Sequence, residues 1–331
     1  MPHRALVPLA AALVLVVSAC SLPGSGDQDR PARAARACVY TAHHVDQVAK
    51  DSELMGRDFS CVLVFNDNAP TWQGVVEPWF TVHNDENFRW DRWVQRDPSR
   101  TLVIGQSLIP DEAPVDWRQR GAAGEYDHYF ADLGRNLVDA GLGSSVLRLA
   151  HEGNGDWFKH SIGTTEQDQR DWATYWARAA RVLDATPGAD FTMDLTVAAG
   201  PPVVPLDQWY PGDDVVDVIG ADFYDRVPGD APQEQPDRWT YQRTQPGGLE
   251  SVLAFAQRHD KPISVPEWGL AAADVGGADD DPAFIRNMLA FVKANDTMYQ
   301  GYWNKTDTPS DLRNNPDSLE EYRALMGTRP R

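Results

Sequence analysis

Residues 215–223 read VVDVIGADF, an apolar run that is rich in β-branched residues and contains two acids. Residues 62–65, VLVF, contain no polar residue. A strand with one face in water alternates polar and apolar residues, whereas a parallel strand covered by helices on both faces does not. Both segments therefore indicate buried strands of a parallel sheet.

Comparable runs recur along the chain, so that eight strands are predicted in all. They cover residues 37–40, 61–65, 101–106, 145–150, 191–197, 215–223, 262–265 and 298–302. Amphipathic helices are predicted between them. The clearest follows Thr164, where Thr164 and Gln167 fit a capping box and apolar residues recur at helical spacing from Trp172 to Leu183. Eight strand–helix units in 331 residues predict an α/β fold, a (β/α)8 TIM barrel in a single domain.

The N-terminus has the order of a bacterial secretory signal, with Arg4, an apolar run over residues 5–17, and then Ser18-Ala19-Cys20. Residues 17–20, VSAC, are similar to a lipoprotein box, in which cleavage before the cysteine leaves a lipidated Cys20. The alternative is ordinary secretion with an unmodified Cys20. We expect a protein on the extracellular face of the cell membrane, tethered by a lipid anchor or released.

The chain divides into three predicted parts. Residues 1–19 form the signal peptide, residues 20–36 a flexible tether rich in Gly, Pro, Ser and charge, and residues 37–331 the barrel domain. No internal repeat or second low-complexity break divides the last part. We therefore expect one folded domain and a monomer.

Composition excludes several classes of partner. The formal net charge is −19 at pH 7, and an acidic surface repels phosphate backbones, so nucleic acid is not expected. No His/Cys cluster has metal-ligand spacing and no Gly-rich nucleotide motif follows an early strand, so we expect neither a metal nor an organic cofactor. Cys38 and Cys61 begin adjacent predicted strands of an exported protein, which predicts a disulfide between them.

In a (β/α)8 barrel, active-site residues lie at the carboxyl ends of the strands. Four predicted strand ends carry acids, aromatic residues or amides. They are residues 148–158 (RLAHEGNGDWF), 220–225 (GADFYD), 266–269 (PEWG) and 301–304 (GYWN). The chemistry of the protein is therefore expected at this end of the barrel.

Glu152 and Glu267 follow the fourth and seventh predicted strands, which places them across the barrel mouth from each other. A glycosidase that retains the anomeric configuration needs one carboxyl group as acid/base and a second as nucleophile. The alternative is that both are ordinary loop carboxylates. The residues that flank them favour the catalytic interpretation.

These flanking residues resemble glycoside hydrolase family 26, whose barrels carry catalytic glutamates after the fourth and seventh strands. The similarity lies in residues 151–158 (HEGNGDWF), 220–224 (GADFY) and 266–269 (PEWG). His151 is the discriminating residue, because much of the wider clan has asparagine before the acid/base glutamate. Residues 153–155, GNG, depart from many family mannanases, and this departure affects the substrate assignment more than the reaction.

The resemblance implies that Glu152 is the general acid/base and Glu267 the nucleophile. Glu152 then needs a raised pKa, which aromatic surface and the charge of Glu267 would supply. Tyr224 is expected to donate a hydrogen bond to Glu267, with packing at the barrel rim as the alternative.

Further residues are assigned to substrate binding on the same grounds. The set is His151, Asn154, Trp157, Asp222, Tyr224, Trp268 and Trp303. Trp303 is expected to form the floor under the reacting sugar, and core packing is its alternative. His151 either holds the acid/base, binds the sugar or is a structural histidine.

The resemblance implies endo-acting hydrolysis of a β-linked polysaccharide, with β-1,4-mannan as the first candidate. Other β-glycans remain open, namely β-glucan, β-1,3-xylan or an envelope polysaccharide. A further alternative is a sugar-binding lipoprotein without turnover. The presence of both Glu152 and Glu267 argues against it, because binding alone does not need an acid that faces a nucleophile.

Overall fold

The computed structural model describes residues 34–201 and 204–328, and within them eight parallel strands form one closed barrel. The strands are β1 (Arg36–Tyr40), β2 (Cys61–Asn66), β3 (Thr101–Gln106), β4 (Val146–Leu149), β5 (Thr192–Ala198), β6 (Val218–Tyr224), β7 (Ile263–Gly269) and β8 (Thr297–Trp303). Each strand pairs with the next in the chain, and β8 pairs with β1 to close the barrel. The predicted fold class is therefore confirmed.

Helices lie between the strands, as the amphipathic segments predicted. They are α1 (Gln47–Met55), α2 (Trp72–Val76), α3 (Trp79–Val82), α4 (Trp90–Gln95), α5 (Trp117–Ala122), α6 (Asp127–Asp139), α7 (Glu166–Asp184), α8 (Asp237–Thr244), α9 (Leu249–Arg258), α10 (Pro282–Ala294) and α11 (Pro316–Met326). Short 3-10 turns occur at Glu86–Phe88, Leu206–Gln208 and Ala273–Val275.

Alternate residues of a strand pack on opposite sides of the barrel wall. In β2, Val62 and Val64 join the large apolar cluster that the helices cover, whereas Cys61, Leu63 and Phe65 belong to a separate cluster in the interior. All six residues of β2 are buried. Because both faces exclude water, the strand needs no polar alternation.

The barrel interior is apolar near β1 to β3 and polar near β4 to β7. Buried polar side chains in the second half are Arg148, Asp194, Thr196, Asp222, Ser264 and Glu267. Glycine at position 220 makes room for them, because a Cβ there would lie 2.6 Å from Asp194 Oδ1 and 2.7 Å from Ser264 Oγ.

Helix α7 begins one residue later than the sequence pattern predicted. Its N-cap is Thr165, whose hydroxyl accepts from the Asp168 N–H at 3.0 Å, while the Asp168 carboxylate accepts from the Thr165 N–H at 3.3 Å. The box assigned to Thr164 and Gln167 is therefore wrong. The pattern requires Glu or Gln at the third helical position, and here the shorter Asp168 closes the box instead.

Cys38 and Cys61 are joined by a disulfide with a Cα–Cα distance of 4.4 Å. Val39 pairs with Val62 in the β1–β2 ladder, which sets the two cysteines beside each other. Both side chains are buried in the interior apolar cluster.

The described residues all fall within one compact unit, Arg33–Arg331. β1 begins at Arg36, one residue before the predicted start of the barrel domain. The predicted signal peptide, the lipidation site Cys20 and most of the predicted tether lie outside the described residues. In the described part of the chain, no helix combines the length and apolar content needed to span a membrane.

Candidate active site

A cavity of about 200 Å³ opens at the carboxyl end of the barrel. Its walls include Tyr40, Asp67, His151, Glu152, Glu267 and Trp303. These residues come from the ends of β1, β2, β4, β7 and β8, so the two predicted catalytic glutamates share one cavity. A larger cavity of about 700 Å³ lies at the amino ends of the strands, where barrel enzymes do not build active sites.

Glu267 is buried at 7% exposure and is held by two donors, one on β4 and one on β6. Arg148 Nη1 donates to its Oε1 at 2.7 Å, and the Tyr224 hydroxyl donates to its Oε2 at 3.2 Å. The structure thus contains the Tyr224 contact that the sequence predicted. Donors to both oxygens fix the orientation of this carboxyl group.

Asp222 is buried and contacts both Arg148 and Glu267. Its Oδ2 pairs with Arg148 Nη2, and its Oδ1 accepts the backbone N–H of Glu267 at 3.0 Å. Burial raises the pKa of Asp222 well above its usual range, and the Arg148 charge opposes that rise. The contacts of Asp222 are therefore with Arg148 and with the backbone of Glu267.

A buried polar cluster continues below Arg148. Arg148 Nε donates to Thr196 Oγ1 at 3.1 Å, and the Thr196 hydroxyl donates to Asp194 at 2.7 Å. Asp194 also accepts from Ser264 at 2.5 Å and from the Tyr299 hydroxyl at 2.6 Å. Contacts on several sides fix the guanidinium, and a fixed guanidinium fixes Glu267.

Glu152 lies in a different environment from Glu267. Trp157 Nε1 donates to its Oε2 at 2.8 Å, and burial followed by the charge of Glu267 raises the pKa of Glu152 to about 7. Its backbone φ of 52° lies in the left-handed region, which is unfavourable for a non-glycine residue. Its N–H donates to Thr196 O at 2.9 Å, which holds this turn against β5.

Trp303 and Tyr40 form one wall of the cavity. Their rings stack with centroids 3.8 Å apart and an interplanar angle of 17°. Trp303 lines the cavity at the end of β8, and Tyr40 stacks on one face of its ring.

A second cavity of about 540 Å³ lies on the other side of Glu152. Trp157, Tyr224, Arg226 and Pro228 are among its walls. Trp157 is 52% exposed although its indole nitrogen is bound to Glu152. An exposed ring with a fixed orientation is suited to stacking on a sugar.

Two residues assigned to substrate binding do not reach the cavities. Trp268 has 0% exposure and lies outside the barrel wall, where its indole N–H donates to Gln300 and its ring packs on Tyr302. Asn154 uses both halves of its amide on Ala198, donating to its carbonyl and accepting from its N–H, each at 2.9 Å. Trp268 is therefore a core residue and Asn154 joins two strand ends.

A shift of register in β7 explains the error for Trp268. Ser264 points into the barrel towards Asp194, so regular alternation would turn residue 268 inward and residue 267 outward. The register shifts between Val265 and Trp268, and this reverses the order. Pro266 within the strand was the available signal, because proline in a sheet is confined to edges and bulges.

Several residues of the site received no role from the sequence. They are Arg148, which donates to Glu267, and Tyr40, His43 and Asp67, which line the cavity. Arg148 carried a signal, because an arginine inside an otherwise apolar strand of four residues needs buried acidic partners.

Comparison with known proteins gives one family match. Residues 126–236 match the model of Glycosyl hydrolase family 26. This segment contains Arg148, His151, Glu152, Asp222 and Tyr224 and ends before Glu267. The chain thus resembles that family across β4 to β6.

Two curated relatives are similar over most of this chain. A β-1,3-xylanase from Alcaligenes sp. is 25% identical over 249 residues, which is 70% of this chain and 47% of that protein. Beta-1,3-xylanase TXYA from Vibrio sp. is 24% identical over 248 residues, 70% of this chain and 48% of that protein. The chain therefore spans about half the length of the curated relatives it matches.

Solved structures share the fold at low sequence identity. A GH26 β-mannanase from Bacteroides ovatus superposes with a TM-score of 0.61 at 15% identity and covers 89% of both chains. A mannanase from Bacillus subtilis gives 0.60 at 13% identity, with 88% of this chain and 85% of that chain covered. The similarity concerns the (β/α)8 architecture.

Proposed function

We propose that this protein is a retaining glycoside hydrolase in which Glu267 is the nucleophile and Glu152 the general acid/base. The observation that carries the proposal is the contrast between two carboxyl groups in one cavity. Glu267 accepts from a guanidinium and a phenol, whereas burial and the Glu267 charge raise the pKa of Glu152 to about 7. Two carboxyl groups whose environments differ in this way suit the two roles of a glycosidase.

The first step forms a glycosyl-enzyme. Glu267 attacks the anomeric carbon while Glu152 gives its proton to the glycosidic oxygen, so that the bond to the aglycone breaks with a neutral leaving group. Trp157 donates to Oε2 of Glu152, which favours Oε1 as the oxygen that carries the transferred proton.

The second step hydrolyses the ester. Glu152, now a carboxylate, takes a proton from water, and the resulting hydroxide attacks the same carbon as Glu267 departs. Two inversions restore the starting configuration. Arg148 and Tyr224 hold Glu267 in both steps, because each contacts an oxygen that becomes charged again on release.

The substrate we propose is a β-linked polysaccharide, with β-1,4-mannan first, cleaved at internal bonds. Support comes from the family match over residues 126–236 and from the cavities on both sides of Glu152. The β-1,3-xylanase relatives keep β-1,3-xylan as the second candidate, and β-glucan or an envelope polysaccharide follows. Measuring the sizes of the products from mannan, β-glucan and β-1,3-xylan distinguishes these substrates and shows whether internal bonds are cleaved.

The division of labour between the glutamates is tested with an aryl β-glycoside that carries a good leaving group. Glu267→Ala should form no glycosyl-enzyme from any substrate. Glu152→Ala should still form it and should be rescued by azide to a β-glycosyl azide, because only proton transfer is lost. Proton NMR of the first product should show the β anomer. An α product, or identical behaviour of the two variants, would refute the assignment, and absence of turnover with retained sugar binding would favour a sugar-binding protein.

Attachment to the membrane through a lipid on Cys20 completes the proposal, and it rests on residues 17–20 of the sequence. The acidic barrel would then act at the extracellular face of the membrane. Cys20→Ser should move the protein from the membrane fraction to the medium with its activity intact. A wild-type protein that is already soluble and has no added lipid mass would contradict it.

A further inference from the structure

Asp67 is an acid in the cavity for which the proposed mechanism has no role. It follows β2 and lines the same cavity as Glu152 and Glu267. Its side chain is 16% exposed. Burial raises its pKa, and the charge of Glu267 adds to that rise, while hydrogen bonds and the charge of Arg148 oppose it. Burial of a carboxyl group beside another acid is unfavourable without a compensating contact, so its position calls for an explanation.

The two oxygens of Asp67 have different surroundings. Oδ1 accepts from Asn68 Nδ2 at 2.8 Å. Oδ2 faces His151 Nε2 at 3.9 Å, which is too long for a hydrogen bond. Asp67 and His151 thus face each other across a gap inside the cavity.

His151 is held rigidly opposite this acid. Its side chain is 2% exposed, and its ring lies 5.3 Å from Phe65 and 4.8 Å from Phe158 between centroids. Burial, and then the charge of Arg148, lowers the pKa of His151 well below its usual value, so the imidazole is neutral. It therefore carries one N–H.

The position of that N–H follows from the surroundings of the two ring nitrogens. Nδ1 is buried and has no hydrogen-bond partner among the described residues. A buried N–H without an acceptor is less favourable than a buried acceptor without a donor. The proton therefore belongs on Nε2, which points towards the Asp67 carboxylate.

The gap has the dimensions of a bridging hydroxyl group. An oxygen about 2.9 Å from Nε2 and about 2.7 Å from Oδ2 would see the two atoms at an angle of about 90°, which both hydrogen bonds tolerate. The hydroxyl would accept from the imidazole and donate to the carboxylate. A hydroxyl group is able to do both at once, whereas a C–H group would leave both partners unsatisfied.

We propose that Asp67 and His151 together bind one hydroxyl group of the sugar that occupies the cavity, and that this pair selects which sugar reacts. The inference rests on the proposed glycosidase function. It makes Asp67 a specificity residue that touches substrate without taking part in proton transfer or nucleophilic attack.

The test compares wild type with Asp67→Asn and with His151→Phe. The substrates are 4-nitrophenyl β-glycosides of mannose, glucose and xylose as mono- and disaccharides. For the glycoside that the wild type hydrolyses best, monodeoxy analogues of the reacting sugar are added. Glu320→Gln is the matched control, because it removes one exposed carboxyl group from α11.

Both cavity variants should lose about 10- to 100-fold in kcat/KM on the parent glycoside, as expected for one hydrogen bond to a charged group. One deoxy analogue should lack the hydroxyl that the pair binds, and on that analogue the wild type and both variants should have equal kcat/KM. The control variant should match the wild type on every substrate. An equal fold loss of kcat/KM on all analogues would overturn the proposal, because a purely structural defect would reduce activity by the same factor whichever hydroxyl is missing.

A separate measurement distinguishes failure of this inference from failure of the proposed function. If the wild type hydrolyses none of the glycosides, calorimetric titration with mannose, glucose and xylose tests the pair by itself. Weaker binding of one sugar to Asp67→Asn would support the pair although the reaction assignment is wrong. Equal binding to wild type and variant, or no binding to either, would overturn it.

Discussion

At the scale of single residues, the pKa of Glu152 depends on its burial and on the charge of Glu267. Arg148 and Tyr224 each donate a hydrogen bond to Glu267, which carries a negative charge in the proposed mechanism. That charge, together with burial, raises the pKa of Glu152 to about 7. A pKa of about 7 keeps a large share of Glu152 protonated up to neutral pH.

The pH dependence of activity follows from this arrangement. A general acid works only while it is protonated, so kcat/KM should fall as pH rises through about 7. In Glu267→Gln, carbon-13 NMR should show a lower Glu152 pKa that still exceeds 4.5, because the neighbouring charge is lost and burial remains. Glu152→Gln identifies the resonance by its disappearance. A midpoint that does not move in Glu267→Gln would show that the two carboxyl groups are not close.

Arg148 gives a second prediction at this scale. Its guanidinium reaches Asp222 and Glu267 at once, and an ammonium group cannot reproduce that fork. Arg148→Lys should therefore reduce kcat by about 10²-fold through displacement of the nucleophile, with a much smaller effect on KM. Circular dichroism confirms folding, and a variant with wild-type kcat would show that the fork does not position Glu267.

At the scale of elements, β7 shows how a local irregularity creates the site. Pro266 interrupts the ladder, and the shift between Val265 and Trp268 turns Glu267 inward. The neighbouring strand accommodates this with Gly301, where any Cβ would collide with the Pro266 carbonyl. A regular strand would present Trp268 to the substrate and Glu267 to the helices.

The start of α7 gives a prediction with an internal control. Thr165→Ala removes the hydroxyl that accepts from Asp168 N–H, so the free energy of unfolding should fall by about 1 kcal/mol. Thr164 is adjacent to Thr165 but is not part of the capping box. Thr164→Ala should therefore change the free energy of unfolding by no more than about 0.5 kcal/mol. Urea unfolding measures both effects. A larger loss of stability in Thr164→Ala than in Thr165→Ala would show that Thr164 is the N-cap, as the sequence pattern indicated.

At the scale of the whole molecule, the barrel interior separates stability from chemistry. The β1 to β3 side is apolar and contains the Cys38–Cys61 disulfide, whereas the β4 to β7 side contains the buried ionic cluster around Arg148. The cost of burying those charges is offset by their mutual hydrogen bonds and ion pairs. Apolar packing elsewhere provides the stability on which such a cluster depends.

The disulfide supplies the prediction at this scale. Replacing Cys38 and Cys61 together by alanine should lower the free energy of unfolding by about 3 kcal/mol, because the unfolded chain gains conformational freedom. The value of kcat should stay within about twofold of wild type, because neither cysteine lines the cavity that contains Glu152 and Glu267. Titration of the denatured, unreduced Cys20→Ser protein should find no free thiol. Two free thiols would refute the bond.

The sequence predicted those features of the fold and the site that depend on residues close together in the chain or on the strand topology. The strands followed from local pattern, because burial on both faces leaves a run such as VLVF at 62–65 without polar residues. The strand-end position of Glu152 and Glu267 followed from the parallel topology, since all carboxyl ends of such a barrel lie at one rim. The reaction class was implied by the resemblance of these motifs to glycoside hydrolase family 26.

Only the tertiary structure decided which of these side chains face the cavity. Alternation predicts direction while the register is constant, and the shift in β7 reversed the directions of Glu267 and Trp268. The partners of Arg148 and the gap between Asp67 and His151 join strands that are far apart in sequence. Closure of the barrel brings such residues together, and no local periodicity in the chain encodes those distances.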